Sequence, residues 1–113
     1  MGLLAELRSV NVVRCARFGH GFWSEMQWGC AIGGECGELL NLLKKYERQM
    51  TNDPGHDALK KEISDEIADV IIYLDLLANQ LGISLERAIQ RKFNKTSEKH
   101  GFPEMLHRGW EEE

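Results

Sequence analysis

Apolar residues recur every three or four positions over most of this chain, which is the spacing of amphipathic α-helices. Runs that alternate apolar and polar residues, as strands do, do not occur. The pattern predicts an all-α fold, and turn-forming or helix-capping residues divide it into four helices at about 2–17, 24–49, 58–81 and 85–100. Ser24, Asp57 and Ser84 are the predicted N-caps.

The third predicted helix has apolar residues around most of its circumference, more than one neighbouring helix can cover. In so short a chain, a second subunit is the simplest source of that cover. The glycines at 33, 34 and 37 within the second helix are costly there, so we also expect another helix or a ligand to approach closely. These features predict a homodimer or a dimer of dimers.

Two acidic pairs lie inside the most apolar helical segments: Glu35 with Glu38, and Glu66 with Asp69. Residues three apart share one helical face, with Cβ atoms roughly 5–6 Å apart. At 100° per residue both pairs fall on the stripe expected to face the core, whereas Asp75 falls on the opposite side of the third helix. A buried carboxylate is costly unless it is paired or binds a cation. Because no Lys or Arg shares these stripes, the four carboxylates predict a divalent metal site.

Composition excludes several function classes. The 113 residues suffice for one domain, and a net charge of −4 without a dominant basic stripe argues against nucleic-acid binding. Three cysteines without a C-x-x-C pair indicate a reduced, cytoplasmic protein. The four histidines lack metal-ligand spacing, so zinc is disfavoured. Neither a signal peptide nor an apolar run of membrane-spanning length is found, so no membrane partner is expected.

The fourth predicted helix carries the opposite charge. Lys92, Thr96 and Lys99 share a face with apolar residues, which we expect to turn inward. Cations that face a carboxylate cluster suit a polyphosphate, because metal ions bridge carboxylates to phosphate oxygens and lysines neutralise the remaining charge. Magnesium suits an all-oxygen ligand set better than iron or zinc.

Two sequence contexts together resemble a known family: AIGGECGEL at 31–39 and DEIADVIIYL at 65–74, followed by LGISLE at 81–86 and a helix that bears lysines. They are similar to the MazG-like nucleotide pyrophosphohydrolases of the all-α NTP pyrophosphatase superfamily, over roughly residues 27–100. The resemblance implies a bundle of four to five helices completed by dimerisation. We expect this domain to occupy 1–103, and an acidic, flexible tail to occupy 104–113.

The resemblance also implies roles for particular residues. Glu35, Glu38, Glu66 and Asp69 would hold Mg²⁺, with Mn²⁺ as a substitute, for cleavage of a (d)NTP to a (d)NMP and pyrophosphate. Glu38 is the preferred residue to orient or deprotonate the attacking water, with Glu35 second. Further expected contacts to the nucleotide are made by Lys92, Thr96, Lys99, Trp28 and Gln27.

These contacts are less specific than the acidic pairs. Thr96 and Lys99 stand where the family's Lys-x-x-x-Asn-x-x-Arg stretch has Asn and Arg. Trp28 could stack on a nucleobase and Gln27 could bind its edge, although core packing is the commoner role of a tryptophan. Glu62 shares the face of Glu66 and suits either a metal ligand or a partner for a lysine. The nucleotide itself is left open among dUTP, dCTP, modified dNTPs and a broad mixture.

Two other functions fit parts of the pattern. A non-catalytic helical module that binds a nucleotide or a metal would have the same sequence features. A di-iron carboxylate bundle is disfavoured, because it requires Glu-x-x-His pairs and this chain has Glu38-x-x-Asn41 and Glu66-x-x-Asp69.

Overall fold

The computed structural model describes residues 2–19, 22–50 and 52–107. It contains four helices, α1 (Leu3–Phe18), α2 (Glu25–Arg48), α3 (His56–Gln80) and α4 (Leu85–His100). No strand occurs in these ranges, so the predicted all-α class is confirmed, and every helix bound lies within two residues of its prediction. No described helix is long and apolar enough to span a membrane alone; α3 and α4 meet that criterion only together, as a pair bent by 103°.

The helix caps explain where the helices begin. Ser24 caps α2 in a capping box, in which Ser24 Oγ accepts from the Gln27 backbone N–H and Gln27 Oε1 accepts from the Ser24 N–H. Ser84 caps α4 as predicted. The prediction for Asp57 is wrong: α3 begins at His56 after Gly55, and Asp57 lies in its first turn. Its negative charge is still favourable there, because the N-terminus of a helix carries partial positive charge.

Helices α2 and α3 form an antiparallel hairpin, as two contacts at its opposite ends show. Trp28 Nε1, near the start of α2, donates to Gln80 Oε1 at the end of α3 over 3.0 Å. Tyr46, near the end of α2, stacks on His56 at the start of α3 with ring centroids 4.3 Å apart. Because the helices run in opposite directions, the middle of α2 faces the middle of α3.

A buried polar network joins α1 to α3. Asp75 is only 1% exposed and accepts hydrogen bonds from Arg8 Nε at 2.9 Å and from Asn11 Nδ2 at 3.1 Å. Asn11 also donates to the Ile72 carbonyl, and Arg8 donates to the Ile83 carbonyl. The prediction that Asp75 faces away from the core is therefore wrong, because α1 packs on that side of α3.

The core of one chain is small. Among the described residues, the buried hydrophobic ones are Cys15, Trp28, Leu59, Leu76 and Ala78. The radius of gyration is 17.1 Å, whereas roughly 13 Å is expected for a compact domain of this length. The chain thus leaves much of its apolar surface uncovered.

The segment after α4 folds back onto that helix. Asn94 makes two hydrogen bonds to the backbone of Leu106, and Gln90 Nε2 donates to the same carbonyl at 2.9 Å. Leu106, which lies in the predicted C-terminal tail, is therefore held against α4. The rest of that tail, 108–113, lies outside the described residues, and the domain boundary at 103 stays a prediction.

Candidate metal centre

Glu35, Glu38 and Glu66 meet midway along the α2–α3 hairpin. One carboxylate oxygen of each lies within 4.8 Å of the other two. Glu38 is exposed and the other two are half-buried. Among the described residues, the buried Oε2 atom of Glu66 has no hydrogen-bond partner. A cluster of carboxylate oxygens with an uncompensated buried atom is a fit for a divalent cation, and its all-oxygen composition favours a hard ion such as Mg²⁺ or Mn²⁺.

Crowding of these carboxylates perturbs Glu66. A hydrogen bond with the Glu35 carboxyl, which requires a shared proton, raises the pKa of Glu66 above its ordinary value. Desolvation and the negative charges of Glu35 and Asp69 raise this pKa further, and the hydrogen bond with Glu38 lowers it. Without a metal, Glu66 therefore holds a proton to higher pH than an isolated glutamate does, and a divalent cation would relieve the same repulsion.

Asp69, the fourth predicted ligand, is not part of the group of three. Its side chain is exposed one turn further along α3. Its charge nonetheless acts on the site, because it raises the pKa values of both Glu66 and Tyr73. The structure thus brings three of the four predicted ligands together and leaves Asp69 beside them.

Tyr73 borders the cluster and was not among the residues singled out from the sequence. Burial raises the pKa of the Tyr73 hydroxyl, the charges of Glu35, Asp69 and Glu38 raise it further, and Arg14 lowers it. Its ring packs edge-on against Trp28, with centroids 5.9 Å apart. The sequence signal was present, since Tyr73 follows Glu66 by seven residues and shares its helical face.

One cavity is lined by glutamates of the cluster, and a second lies beside Tyr73 and Trp28. The second, of about 100 Å³, lies between α1, α2 and α3 and is lined by residues that include Arg14, Trp28 and Tyr73. The first, of about 370 Å³, lies between α2 and α3; its lining includes Glu38, Lys45, Glu62 and Glu66. Glu62 is therefore placed beside the cluster but outside the group of three. Lys45 was not predicted to belong to the site.

The predicted phosphate-binding face of α4 does not reach this cluster within one chain. Lys92, Thr96 and Lys99 are exposed, whereas Gln90 and Ser97 are the buried residues of α4. In the described part of the chain, no hydrogen bond or ion pair joins any of the three to a carboxylate of the cluster. The prediction of an inward-facing basic face on α4 is wrong within the single chain, because α4 packs against α1 and the segment that follows it.

The two predicted nucleobase contacts have structural roles in one chain. Trp28 is 2% exposed, packs against Trp23, Tyr73 and Leu76 in the core, and is one of the residues that line the smaller cavity. Gln27 uses its side-chain oxygen in the capping box of α2. Their contact with a base stays a prediction.

We expect Glu66→Gln to raise the Tm of the metal-free protein at pH 7.5. The native state keeps a proton on Glu66 to higher pH than the unfolded chain does, so stability linked to this proton is present below the ordinary pKa of about 4.5 and decreases as the pH rises through the native pKa. Glutamine does not ionise, so the variant does not lose this stability as the pH rises. Thermal unfolding from pH 4.5 to 8 in EDTA, with the exposed Glu47→Gln as control, measures the effect.

The same variant should also lose part of the stabilisation that added Mg²⁺ gives, because one carboxylate ligand is absent. Identical pH profiles for wild type and Glu66→Gln would contradict the proposed crowding.

Fold and cluster together define a class: an all-α protein whose central helical hairpin carries a carboxylate site suited to a divalent metal. The model of the MazG-like family matches residues 35–111, a range that contains all three clustered glutamates and the whole of α3 and α4. The chain belongs to the MazG-like family, as its sequence motifs predicted. No curated protein and no solved structure matches it.

Proposed function

We propose that this protein is a Mg²⁺-dependent nucleoside triphosphate pyrophosphohydrolase, which cleaves a (d)NTP to the (d)NMP and pyrophosphate in nucleotide-pool house-cleaning. The observation that carries the proposal is the group of three carboxylates, Glu35, Glu38 and Glu66, with oxygens within 4.8 Å of one another. Such a group can hold the metal that triphosphate cleavage requires. Membership of the MazG-like family supports the same reaction class.

The three glutamates have distinct tasks in this reaction. Glu35 and Glu66, both half-buried, would hold the metal, with Asp69 adding negative charge beside them. Bound Mg²⁺ would stabilise charge on the phosphates and lower the pKa of a water molecule. Glu38 is the most accessible of the three, so its carboxylate is best placed to orient that water and accept its proton. Attack at the α-phosphorus then breaks the α–β phosphoanhydride bond and releases pyrophosphate.

The cavity beside Trp28 and Tyr73 is the proposed binding place of the nucleoside. Aromatic edges and faces bind nucleobases by stacking and by apolar contact. Arg14 lines the same cavity, and it could donate hydrogen bonds to a base or a sugar. Lys92, Thr96 and Lys99 remain proposed phosphate contacts through the family's motif, although one chain alone does not bring them to the cluster.

Hydrolysis is tested directly by the products. The protein is incubated with Mg²⁺ and with canonical and modified dNTPs and NTPs, and the products are separated by ion-exchange chromatography. A monophosphate plus pyrophosphate would support the proposal and name the substrate. A diphosphate plus phosphate would refute the proposed bond cleavage. Binding of Mg²⁺ and nucleotide without turnover would instead support a non-catalytic module.

We also propose that the active form is a homodimer or a dimer of dimers. Leu40 of α2 is 61% exposed, and Ile67 and Ile71 of α3 are 46% and 43% exposed. Apart from the backbone of α2 itself, a Cβ added at Gly33 or Gly37 would meet no described atom within 4 Å. The described part of the chain thus does not supply the close neighbour expected for these glycines. A second copy that packs on these faces would bury apolar surface the single chain leaves in water.

Light scattering after gel filtration is expected to give a mass two or four times the chain's 12.9 kDa. Ile71→Glu should shift the protein toward the single-chain mass, because a charge would have to be buried in the interface. The exposed Lys60→Glu change, which also adds negative charge to α3, is the control. A wild-type mass of one chain at micromolar concentration would contradict the proposal.

A further inference from the structure

One basic side chain, Lys45, lines the larger cavity beside the carboxylate cluster, and the proposed reaction has not yet given it a role. The cavity lining includes Glu38 and Lys45 from α2, and Glu62, Asp65 and Glu66 from α3. Lys45 is the one Lys or Arg among these lining residues. In the described part of the chain it makes no ion pair within 4.0 Å, although carboxylates surround the cavity. Because Lys45 is exposed and no carboxylate of the described residues pairs with it directly, its ammonium group is available to an anionic ligand.

Helix geometry directs Lys45 toward the cluster. Glu38 and Lys45 are seven residues apart, which is two helical turns on one face and about 10.5 Å along the axis. Side chains on a helix lean toward its N-terminus, so the ammonium group of Lys45 is carried back toward Glu38. The extended side chain covers much of the distance to a phosphate bound at the metal site.

The two ends of the site differ in chemistry. Trp28 precedes Glu35 by seven residues, so the aromatic cavity and Lys45 lie on opposite sides of the cluster along α2. A nucleoside triphosphate has the same polarity, with an aromatic base at one end and terminal phosphates at the other. With its α-phosphate at the cluster and its base beside Trp28, its β- and γ-phosphates point toward Lys45.

Glu62 and Asp65 set a condition on this arrangement. Their carboxylates line the same cavity and repel phosphate, so pyrophosphate can bind there only when cations compensate their charge. A divalent ion at the cluster supplies part of that compensation, and Lys45 adds one positive charge from the chain itself. Loss of Lys45 should therefore strongly weaken the binding of pyrophosphate.

We propose that Lys45 and the cavity between α2 and α3 form the binding subsite for the leaving pyrophosphate, an inference that rests on the proposed hydrolysis. Lys45 donates charge-assisted hydrogen bonds to the β- and γ-phosphates in both the bound substrate and the product. Lys44 is the matched control, because it is exposed on the same helix, adjacent in sequence, and does not line the cavity.

The experiment compares Lys45→Gln, Lys45→Arg and Lys44→Gln in the full chain. A charge-assisted hydrogen bond is worth roughly ten- to hundred-fold in binding. Lys45→Gln should raise the KM for the hydrolysed nucleotide and the inhibition constant for pyrophosphate by about that factor. Inhibition by the monophosphate product should not change, and Lys45→Arg should restore much of the binding. Circular dichroism checks that all three variants are folded.

The outcomes separate this inference from the proposed function. If the wild type hydrolyses nucleotides and Lys45→Gln behaves like Lys44→Gln, the subsite is refuted and the function stands. If the wild type hydrolyses no nucleotide, the proposed function fails, and calorimetric titration with Mg²⁺-pyrophosphate decides the subsite. Weaker binding by Lys45→Gln alone would support it. Equal binding by all variants, or no binding by the wild type, would overturn it.

Discussion

Glu38→Gln is expected to reduce nucleotide hydrolysis by roughly 10²–10⁴-fold, the usual contribution of a positioned general base. The substitution keeps the size of the side chain but removes its charge and its capacity to accept the proton of the attacking water. Of the three clustered glutamates, Glu38 is the exposed one, so solvent water reaches it most easily. Product analysis under saturating Mg²⁺ and nucleotide measures the loss.

Two comparisons distinguish a chemical role for Glu38 from a structural one. Glu47→Gln changes an exposed glutamate of the same helix and should leave the rate within about twofold, because surface substitutions of this kind have small effects. Nucleotide binding by Glu38→Gln, followed by calorimetry in Mg²⁺, should persist more fully than turnover. A variant that retains more than half of the wild-type rate would contradict the role assigned to Glu38.

Asp75→Ala is expected to lower the free energy of unfolding by about 3 kcal/mol, near the lower end of the range for a broken buried ion pair. The lower end applies because Arg8 is 26% exposed and can regain some water, whereas Asp75 is 1% exposed. The change also removes the acceptor of Asn11 Nδ2, which would retain only the Ile72 carbonyl. Urea denaturation at fixed protein concentration measures the loss.

Asp65→Ala, an exposed aspartate of the same helix, should change the free energy of unfolding by less than about 0.5 kcal/mol. The double variant Arg8→Met with Asp75→Leu should be more stable than Asp75→Ala, because it leaves no buried charge without a partner. A loss below about 1 kcal/mol for Asp75→Ala would show that the network with Arg8 does not hold α1 on α3.

Helix positions and the pairing of acids along each helix followed from the sequence, because both depend on residues close together in the chain. The 3.6-residue period placed Glu35 with Glu38, and Ser24 and Ser84 marked helix starts through local hydrogen bonds. The meeting of Glu66 with the first pair was also predicted, since both acids lie on apolar stripes that neighbouring helices bury together.

The tertiary structure decided which neighbour covers each remaining face. Helical periodicity places Asp75 on the side of α3 opposite the acidic stripe, and that side was expected to face solvent. Arg8 and Asn11 of α1 contact Asp75 there, but they lie more than sixty residues away in the chain, so periodicity cannot reveal the contact. Lys92 and its neighbours looked inward for the same reason, whereas α4 instead packs against α1 and is tied to Leu106. The sequence did not assign Lys45 to the site, because only the packing of α2 against α3 places Lys45 in the same cavity as Glu62 and Glu66. Periodicity depends on local backbone geometry, but the partner of a helix face depends on the balance of burial and hydrogen bonding across the whole chain, and that balance exists only in the folded molecule.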